Sequence, residues 1–307
     1  MRIAICVITY KRPSGLRNLL TQINNQIIDS ELLSYLEVIV VDNDFSGSGR
    51  NIVNEFKNRY NHTLKYEIEE RQGIPYARNK SVRCSSENVD FIVFIDDDEV
   101  PSTNWLKELL KAQKKYSADV VEGRVVAEVN INTDQKWLLK GEFFNRKQQA
   151  TGSRIQLAAT NNLLIRKSIL LQYPFNEKMV LTGGSDTYLF TQLCNQGYKM
   201  IYCNEAVVTE IIPESRMEES WLLKRSYRVG VTRAICTNAE THIYKAKVRR
   251  FLIGSLKIAQ GIALIPISFF QSKEKRVKAK QKVCMGFGNI VGLFGIKYNE
   301  YKQTHGS

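Results

Sequence analysis

Two short runs, Val38-Ile39-Val40-Val41 and Phe91-Ile92-Val93-Phe94-Ile95, are apolar at every position, and each ends abruptly in acids. A strand with one solvated face alternates polar and apolar residues, whereas a run this uniform belongs in a parallel sheet covered by helices on both sides. Arg2–Ile8, Leu36–Val41, Leu64–Ile68 and Phe91–Ile95 read as strands. A 3.6-period segment at Leu16–Gln26 and a helix at Arg50–Tyr60 separate them, which is the βαβ rhythm of an α/β fold. The acids after the two runs, Asp42-Asn43-Asp44 and Asp96-Asp97-Asp98, therefore stand at the carboxyl ends of strands, where an open α/β sheet binds ligands.

Further along, strands are expected at Val120–Val126 and Asn162–Arg166, and Trp137–Arg154 is ambiguous. A helix is expected from Ser185 to Gly197, with Gly197 as its C-terminal cap. A second, with a basic face, runs over Met217–Asn238 and carries Trp221, Arg225 and Arg228. Beyond it the chain changes character: Phe251–Phe270 is apolar apart from Lys257, Gln260 and small residues, Ser272–Lys282 is basic, and Val283–Ile296 is apolar again.

Of the formal charge of +13, +11 resides in this tail. Residues 245–307 hold 13 Lys/Arg against Glu274 and Glu300, while residues 1–244 are nearly balanced. Two units follow: a body over 1–240 and a basic, apolar helical tail over 241–307. A nucleic-acid-binding chain would carry its basic groove through the body and interleave aromatics with the cations, which this one does not, so nucleic acid is not an expected partner. The scattered cysteines Cys6, Cys84, Cys194, Cys203, Cys236 and Cys284 indicate neither a disulfide framework nor a zinc site and fit a reducing cytosol. The N-terminal run is too short and too β-branched for the apolar region of a signal peptide.

Three constellations carry chemistry. Asp96-Asp97-Asp98-Glu99 concentrates like charge, which a divalent cation with a taste for oxygen, Mg²⁺ or Mn²⁺, would relieve; the alternative is an acidic loop leading into a helix capped by Ser102 or Thr103. Gly183-Gly184-Ser185-Asp186 delivers an acid at a helix start after two glycines that allow close backbone approach; Asp186 is a general base or an ordinary cap. Thr9 and Arg12, with Asp42 and with Arg78 in a loop before a helix, would suit a base and a diphosphate, or are surface loops.

In this order and at these separations, Val7-Ile8-Thr9-Tyr10-Lys11-Arg12-Pro13, Val40-Val41-Asp42-Asn43-Asp44, Ala77-Arg78-Asn79, Phe94-Ile95-Asp96-Asp97-Asp98 and Gly183-Gly184-Ser185-Asp186 resemble family 2 glycosyltransferases, over about residues 1–230. The resemblance implies the GT-A fold: α/β, with a Rossmann-like, mostly parallel central sheet flanked by helices, here followed by a C-terminal helical, membrane-associating extension. It implies that Thr9, Arg12, Asp42, Arg78, Asp96, Asp97 and Asn161 surround the nucleotide sugar, that Asp98 ligates the metal, and that Asp186 is the base of an inverting transfer. Ser185, Arg216 and Trp221 would stand on the acceptor side. Ser185 replaces a Glu that many members have, and Glu210 stands where many have a His; Glu210 either ligates the metal or pairs with Arg216 or Arg225.

A UDP-linked donor and a growing, lipid-linked glycan acceptor are what the resemblance to bacterial exopolysaccharide and lipopolysaccharide enzymes implies. Lys257, Gln260, Gly261 and Pro266 make Phe251–Phe270 a poor membrane span, so the tail is expected to lie on anionic headgroups at the cytoplasmic face of the inner membrane. The alternatives are a true span and a tail packed on the body. A metal-dependent nucleotidyltransferase is the rival activity, though Thr9–Leu16 offers only Gly15 where such an enzyme needs a glycine-rich loop.

Overall fold

A computed structural model describes residues 1–131, 133–180 and 183–296. In chain order the elements are β1 (Arg2–Thr9), α1 (Pro13–Asn24), β2 (Tyr35–Asp42), α2 (Arg50–Lys57), β3 (Thr63–Ile68), α3 (Ile74–Cys84), β4 (Phe91–Asp96), β5 (Glu99–Pro101), α4 (Trp105–Tyr116), β6 (Val120–Glu128), α5 (Lys136–Lys140), β7 (Asn162–Arg166), α6 (Lys167–Gln172), α7 (Ser185–Asn195), β8 (Met200–Ile211), α8 (Glu219–Ile235), α9 (Ile243–Ser268) and α10 (Lys273–Leu293).

The strands form one sheet in the order β3-β2-β1-β4-β7-β6-β8-β5. β1 pairs in parallel with β2 and β4, as do β2 with β3 and β6 with β8. The contacts of β7 with β4 and β6, and of β5 with β8, are antiparallel. Register brings Thr9 opposite Asp42, and Ile8 opposite Asp96, so the polar residues that end β1, β2 and β4 share one edge.

Both sheet faces are covered, as the continuously apolar runs require. Ile3, Ile5, Val7, Val38, Val40, Val93 and Ile95 pack under α1, α2 and α4 through Leu16, Leu20, Val53, Trp105 and Leu109. Ala4, Cys6, Ile39, Val41, Ile92 and Phe94 pack on the other side, under α3, α6 and α7, through Ala77, Ile169 and Phe190. Alternate side chains of a strand take opposite faces, so an apolar residue at every position is what sandwiching the sheet demands.

Several boundaries differ from the sequence reading. The glycine at 73 opens α3 directly, so Arg78 lies inside the helix and not in a loop before it. Gly73 has φ +145°, and a Cβ there would sit 1.9 Å from Val180, so local periodicity gives way to a tertiary contact. Helix α4 starts after Asn104, and neither Ser102 nor Thr103 caps it. The long strand β8 has no counterpart in the sequence reading. Its mixed stretch Asn204-Glu205-Ala206 interrupts the apolar pattern where the β6–β8 register shifts. Trp137–Arg154 is short helix followed by turns and irregular chain. Leu181 and Thr182, which precede the Gly183-Gly184 pair, and Lys297–Ser307, with Glu300 and His305, lie outside the described residues.

The basic run and the second apolar run of the tail are one helix, α10, which packs between α8 and α9. Glycines let the three helix backbones touch: a Cβ on Gly288 would lie 2.1 Å from Tyr227 O, and one on Gly286 2.6 Å from Gly254 O. The cations of α10 are partly engaged by the body. Lys280 pairs with Glu219 at 2.7 Å, and the Lys273 ammonium lies 4.4 Å from the Trp137 ring centre. Helix α9 rests on α10, and its outward side is apolar and exposed, with Leu252, Leu256, Ile262 and Ile267 all more than half exposed. Among the described residues it is the one helix long and apolar enough to cross a membrane, by length and composition alone.

Candidate active site

Beyond the carboxyl ends of β1 and β4 a cleft of about 220 Å³ opens, lined by Arg78, Asp96, Asp98, Glu99, Arg146, Ala159, Thr160, Asn161, Asp186, Glu210 and Arg216. Five expected nucleotide-sugar and metal residues (Arg78, Asp96, Asn161, Asp98 and Glu210) thus meet the expected base Asp186 in one space, although they are drawn from distant parts of the chain.

The acidic loop after β4 divides its three aspartates. Asp97 turns under the loop, 5% exposed, where Thr9 Oγ1 donates to it at 2.7 Å and Arg12 Nη1 at 3.0 Å. Burial pushes its carboxyl up to about 7, against the pull of Arg12. Arg12 also donates to Asp98 at 2.9 Å, so one guanidinium ties the hidden aspartate to the one that reaches the cleft. Asp96 faces Arg78 at 3.4 Å. Its carboxyl is raised by burial and by its acidic neighbours Asp98 and Glu210, with Arg78 opposing. Thr9, Arg12 and Asp97 therefore support the cleft from below and do not line it.

Asp42 lies deeper still. Its carboxylate accepts from the backbone N–H of Asp44 at 3.0 Å, the N–H of Gly49 at 2.7 Å and the Tyr66 hydroxyl at 2.9 Å, with no exposed surface. These bonds fold the loop between β2 and α2 around it.

The opposite wall comes from β5, β7 and β8. Antiparallel pairing sets Glu99 across from Glu210. Asn162 is held inward by Trp105 Nε1 at 2.8 Å and by the carbonyls of Arg124 and Ala206, and strand alternation then turns Asn161 to the cleft. Asn161 donates to Glu99 and accepts from Arg146 at 3.0 Å. Arg146 and Arg216 both donate to Glu210, at 3.1 and 3.0 Å. Glu210 thus forms the expected ion pair with Arg216, and Arg225 lies near enough to feel its charge. Glu99 is raised well above the usual carboxylate range, by burial first and then by Asp96.

Asp186 is the second residue of α7. Gly184 precedes it with φ +78°, and a Cβ there would meet the Thr232 methyl at 2.1 Å, so only glycine lets α7 start this close to α8. The cap position is Gly184, and Asp186 accepts from Thr187 N–H at 2.7 Å while lining the cleft. Ser185 is buried beside it. Trp221, in the first turn of α8, stands behind Arg216 and Arg225, whose guanidiniums lie 5.9 and 5.2 Å from its ring centre.

Two contributors, Arg146 and Glu122, escaped the sequence reading, and a third, Glu99, was read without a role of its own. Arg146 comes from the ambiguous stretch, and Glu99 was only the end of an acidic run. Glu122 lies on β6 behind the cleft floor, accepting from Ala159 N–H at 2.8 Å, and burial pushes it up to about 7. No local pattern marks Arg146 or Glu122.

Hard oxygen donors face the cleft, and the acids there raise one another's affinity for protons, which is the electrostatic setting of a cation site. Among the described residues no three His, Cys, Asp or Glu side chains form a ready cage. The donor set fits Mg²⁺ or Mn²⁺ held by one or two carboxylates, Asp98 foremost, with the remaining ligands from a diphosphate and water.

A curled, mostly parallel sheet with helices around it and an acidic strand-end cleft is the architecture of GT-A glycosyltransferases. The chain belongs to glycosyl transferase family 2, whose model matches residues 4–173. It is 29% identical over 301 residues, 97% of its length and 94% of the relative's, to the succinoglycan biosynthesis protein ExoM of Rhizobium meliloti. It is 24% identical to the glycosyltransferase AglE of Haloferax volcanii, over 74% of this chain and 71% of AglE.

Solved structures with the same fold include the mannosyltransferase PcManGT of Pyrobaculum calidifontis in complex with GDP-Man and Mn²⁺ (TM-score 0.62, 16% identity, 96% of this chain and 87% of that one). S. aureus TarS 1-349 in complex with UDP-GlcNAc is another (TM-score 0.54, 15% identity, 94% and 90%), and the chain spans about 55% of a longer TarS structure.

Proposed function

We propose that this glycosyltransferase inverts the sugar it transfers, taking it from a nucleoside diphosphate, UDP in the first instance, and passing it to a lipid-linked glycan at the cytoplasmic face of the membrane. The observation that carries this reading is the meeting of Asp98, Asp96 and Arg78 with Asp186 in one cleft. The leaving diphosphate develops charge as the bond to the anomeric carbon breaks. Arg78, on a helix and braced by Asp96, supplies a fixed guanidinium for it. A divalent cation at Asp98, when bound, adds electrostatic neutralisation of that diphosphate.

Asp186 accepts the proton of the attacking acceptor hydroxyl as the new bond forms through an oxocarbenium-like transition state. Thr9, Arg12 and Asp97 hold the acidic loop in place, while Asp42 shapes the loop that meets the base and ribose. Asn161 orders Glu99 and Arg146 around the donor sugar. Arg216 and Trp221, with Ser185 behind Asp186, border the acceptor. Glu210 is a candidate metal ligand only if it leaves Arg146 and Arg216.

Residues 1–240 form the catalytic unit in this reading, and 241–307 hold it to an anionic membrane surface through the exposed side of α9. The kinship with a succinoglycan biosynthesis protein supports exopolysaccharide assembly as the setting. The test is release of nucleoside diphosphate from a panel of nucleotide sugars with and without Mn²⁺. Asp186→Asn is expected to lower transfer at least about 10³-fold with donor binding nearly intact. Loss of transfer and binding together, or of neither, overturns the assignment.

A further inference from the structure

The wall of the cleft made by β8 and the loops beside it hangs from a small core of its own, and the tail completes that core. Arg146, Glu210 and Arg216 form a chain of ion pairs along this wall, at 3.1 and 3.0 Å, and all three line the cleft. Arg146 lies in irregular chain and Arg216 ends a single turn of 3₁₀ helix, so neither is fixed by the element that carries it.

Each member of the chain nevertheless has a buried apolar side chain one or two residues away: Phe144 for Arg146, Ile212 for Glu210 and Met217 for Arg216. Two residues reach ~7 Å at most, so fixing those three side chains limits where the charged groups can go. All three belong to one cluster, distinct from the two that cover the sheet, together with Trp137 and Leu138 of α5 and Leu222 of α8.

The tail enters this cluster through Val277 of α10, which has no exposed surface. One turn before Val277, the Lys273 ammonium lies 4.4 Å from the Trp137 ring centre, and one turn after it Lys280 pairs with Glu219 at 2.7 Å. A second link runs through rings. Phe144 packs on Trp221 with centres 6.3 Å apart, and the Arg216 guanidinium lies 5.9 Å from the same Trp221 ring centre. Close-packed interiors transmit a local change of volume to their neighbours, so a void at Val277 is felt at Phe144 and Met217. The other side of the cleft has separate supports, Arg12 on Asp98 and Arg78 on Asp96, which come from β1, β4 and α3.

We propose that α10 is part of the active centre: Val277 and the seat it completes position Arg146 and Arg216, so the wall where sugar and acceptor meet depends on the tail, and the diphosphate end of the cleft does not. The inference rests on the reading of this cleft as a transferase site and adds positioning residues to it. Residues 1–240 carry the reacting groups, and a residue beyond 240 holds some of them in place.

The test uses the full chain in detergent with Val277→Ala, and reads each arginine by its rate of modification with phenylglyoxal, mapped by mass spectrometry. Arg146 and Arg216 are expected to react at least about fivefold faster than in the parent, with Arg12 and Arg78 unchanged. Nucleoside diphosphate binding with Mn²⁺ is expected to stay within about twofold. Phe144→Leu, which leaves α10 untouched, is expected to give the same pattern, and it carries the test if Val277→Ala does not fold. In transfer from the donor that the nucleotide-sugar panel selects to a lipid extract of the producing cells, Val277→Ala should raise the apparent acceptor KM at least about fivefold, and Val277→Ala/Arg146→Gln should be no worse than Arg146→Gln alone. Unchanged reactivity of Arg146 and Arg216 overturns the proposal. So does a rise at all four arginines, or additive losses in the double variant, either of which marks Val277 as a support of the fold alone. Absence of transfer by the parent with every donor counts instead against the transferase reading and leaves the labelling result standing, so the two failures are separable.

Discussion

The ends of β2 and β4 carry the same signature, an apolar parallel strand that stops at aspartates, and their fates are opposite. At β2 the chain turns back immediately, and Asp42 is saturated by two backbone N–H groups and a tyrosine hydroxyl. At β4 the chain runs on into a short strand that pairs with β8. Asp97 is buried between Thr9 and Arg12, whereas Asp96 and Asp98, each with one oxygen paired to an arginine (Arg78 and Arg12), still line the cleft. Acids at a strand end therefore stay available to a ligand where the following loop keeps them at the cleft with oxygens to spare. Where it supplies donors, the acid organises the loop instead.

That contrast can be broken at either end. The largest effect is expected from Asp98→Asn, which should lower transfer about 10²-fold or more and abolish Mn²⁺ binding measured by calorimetry, while Tm stays within a degree or two. A collapse in Tm would show that Asp98 is as structural as Asp42. Asp42→Ala should do the reverse, costing about 2–4 kcal/mol in denaturant unfolding, because the Gly49 N–H loses a charged acceptor in a buried site. Nucleotide binding per folded molecule should fall less than stability does.

Thr9→Val tests the satisfied member of the acidic loop. Removing the hydroxyl that donates to buried Asp97 should cost about 1–2 kcal/mol, and a neutral result would place the support of that loop in Arg12 alone.

The smallest effect concerns Glu122, the acid behind the cleft floor. Its carboxyl is held near 7 in the folded chain and titrates near 4.5 when unfolded, so the unfolded state binds fewer protons between those values. Its contribution to stability is therefore present below about pH 4.5 and declines as pH rises to about 7. Glu122→Gln should flatten the stability–pH curve over that interval, giving a variant a few degrees more stable than the parent at pH 8 and no more stable at pH 4. Parallel curves would sink the attribution.

Strands β1, β2 and β4 were legible because burial on both faces writes itself into nearly every position, and the acids after β2 and β4 stood out by contrast. The glycines before Asp186 were legible for a similar reason, since few other roles suit two adjacent glycines at a helix start. What stayed hidden depended on partners far away in the chain. Arg146 sits in turns with no period to read, yet it bridges Asn161 and Glu210. Glu99 becomes a wall of the cleft only because β5 pairs with β8, a strand whose own pattern is interrupted. Arg78 was legible as a residue type but not as part of a helix, because the glycine turn at 73 that opens the helix is one only a residue without a Cβ fits against Val180. In the tail the basic run read as a surface for anionic headgroups, with packing on the body as an alternative, and glycine contacts with α8 and α9 make its helix the middle one of three.

By itself, then, the amino-acid order determined the class of fold, the edge of the sheet where ligands bind and the residue types available there. Periodicity and strand-end chemistry are local properties. Which acids remain open to a ligand and which arginines answer them were decided only in three dimensions. Hydrogen-bond saturation and charge pairing depend on distances between elements that sequence spacing does not contain.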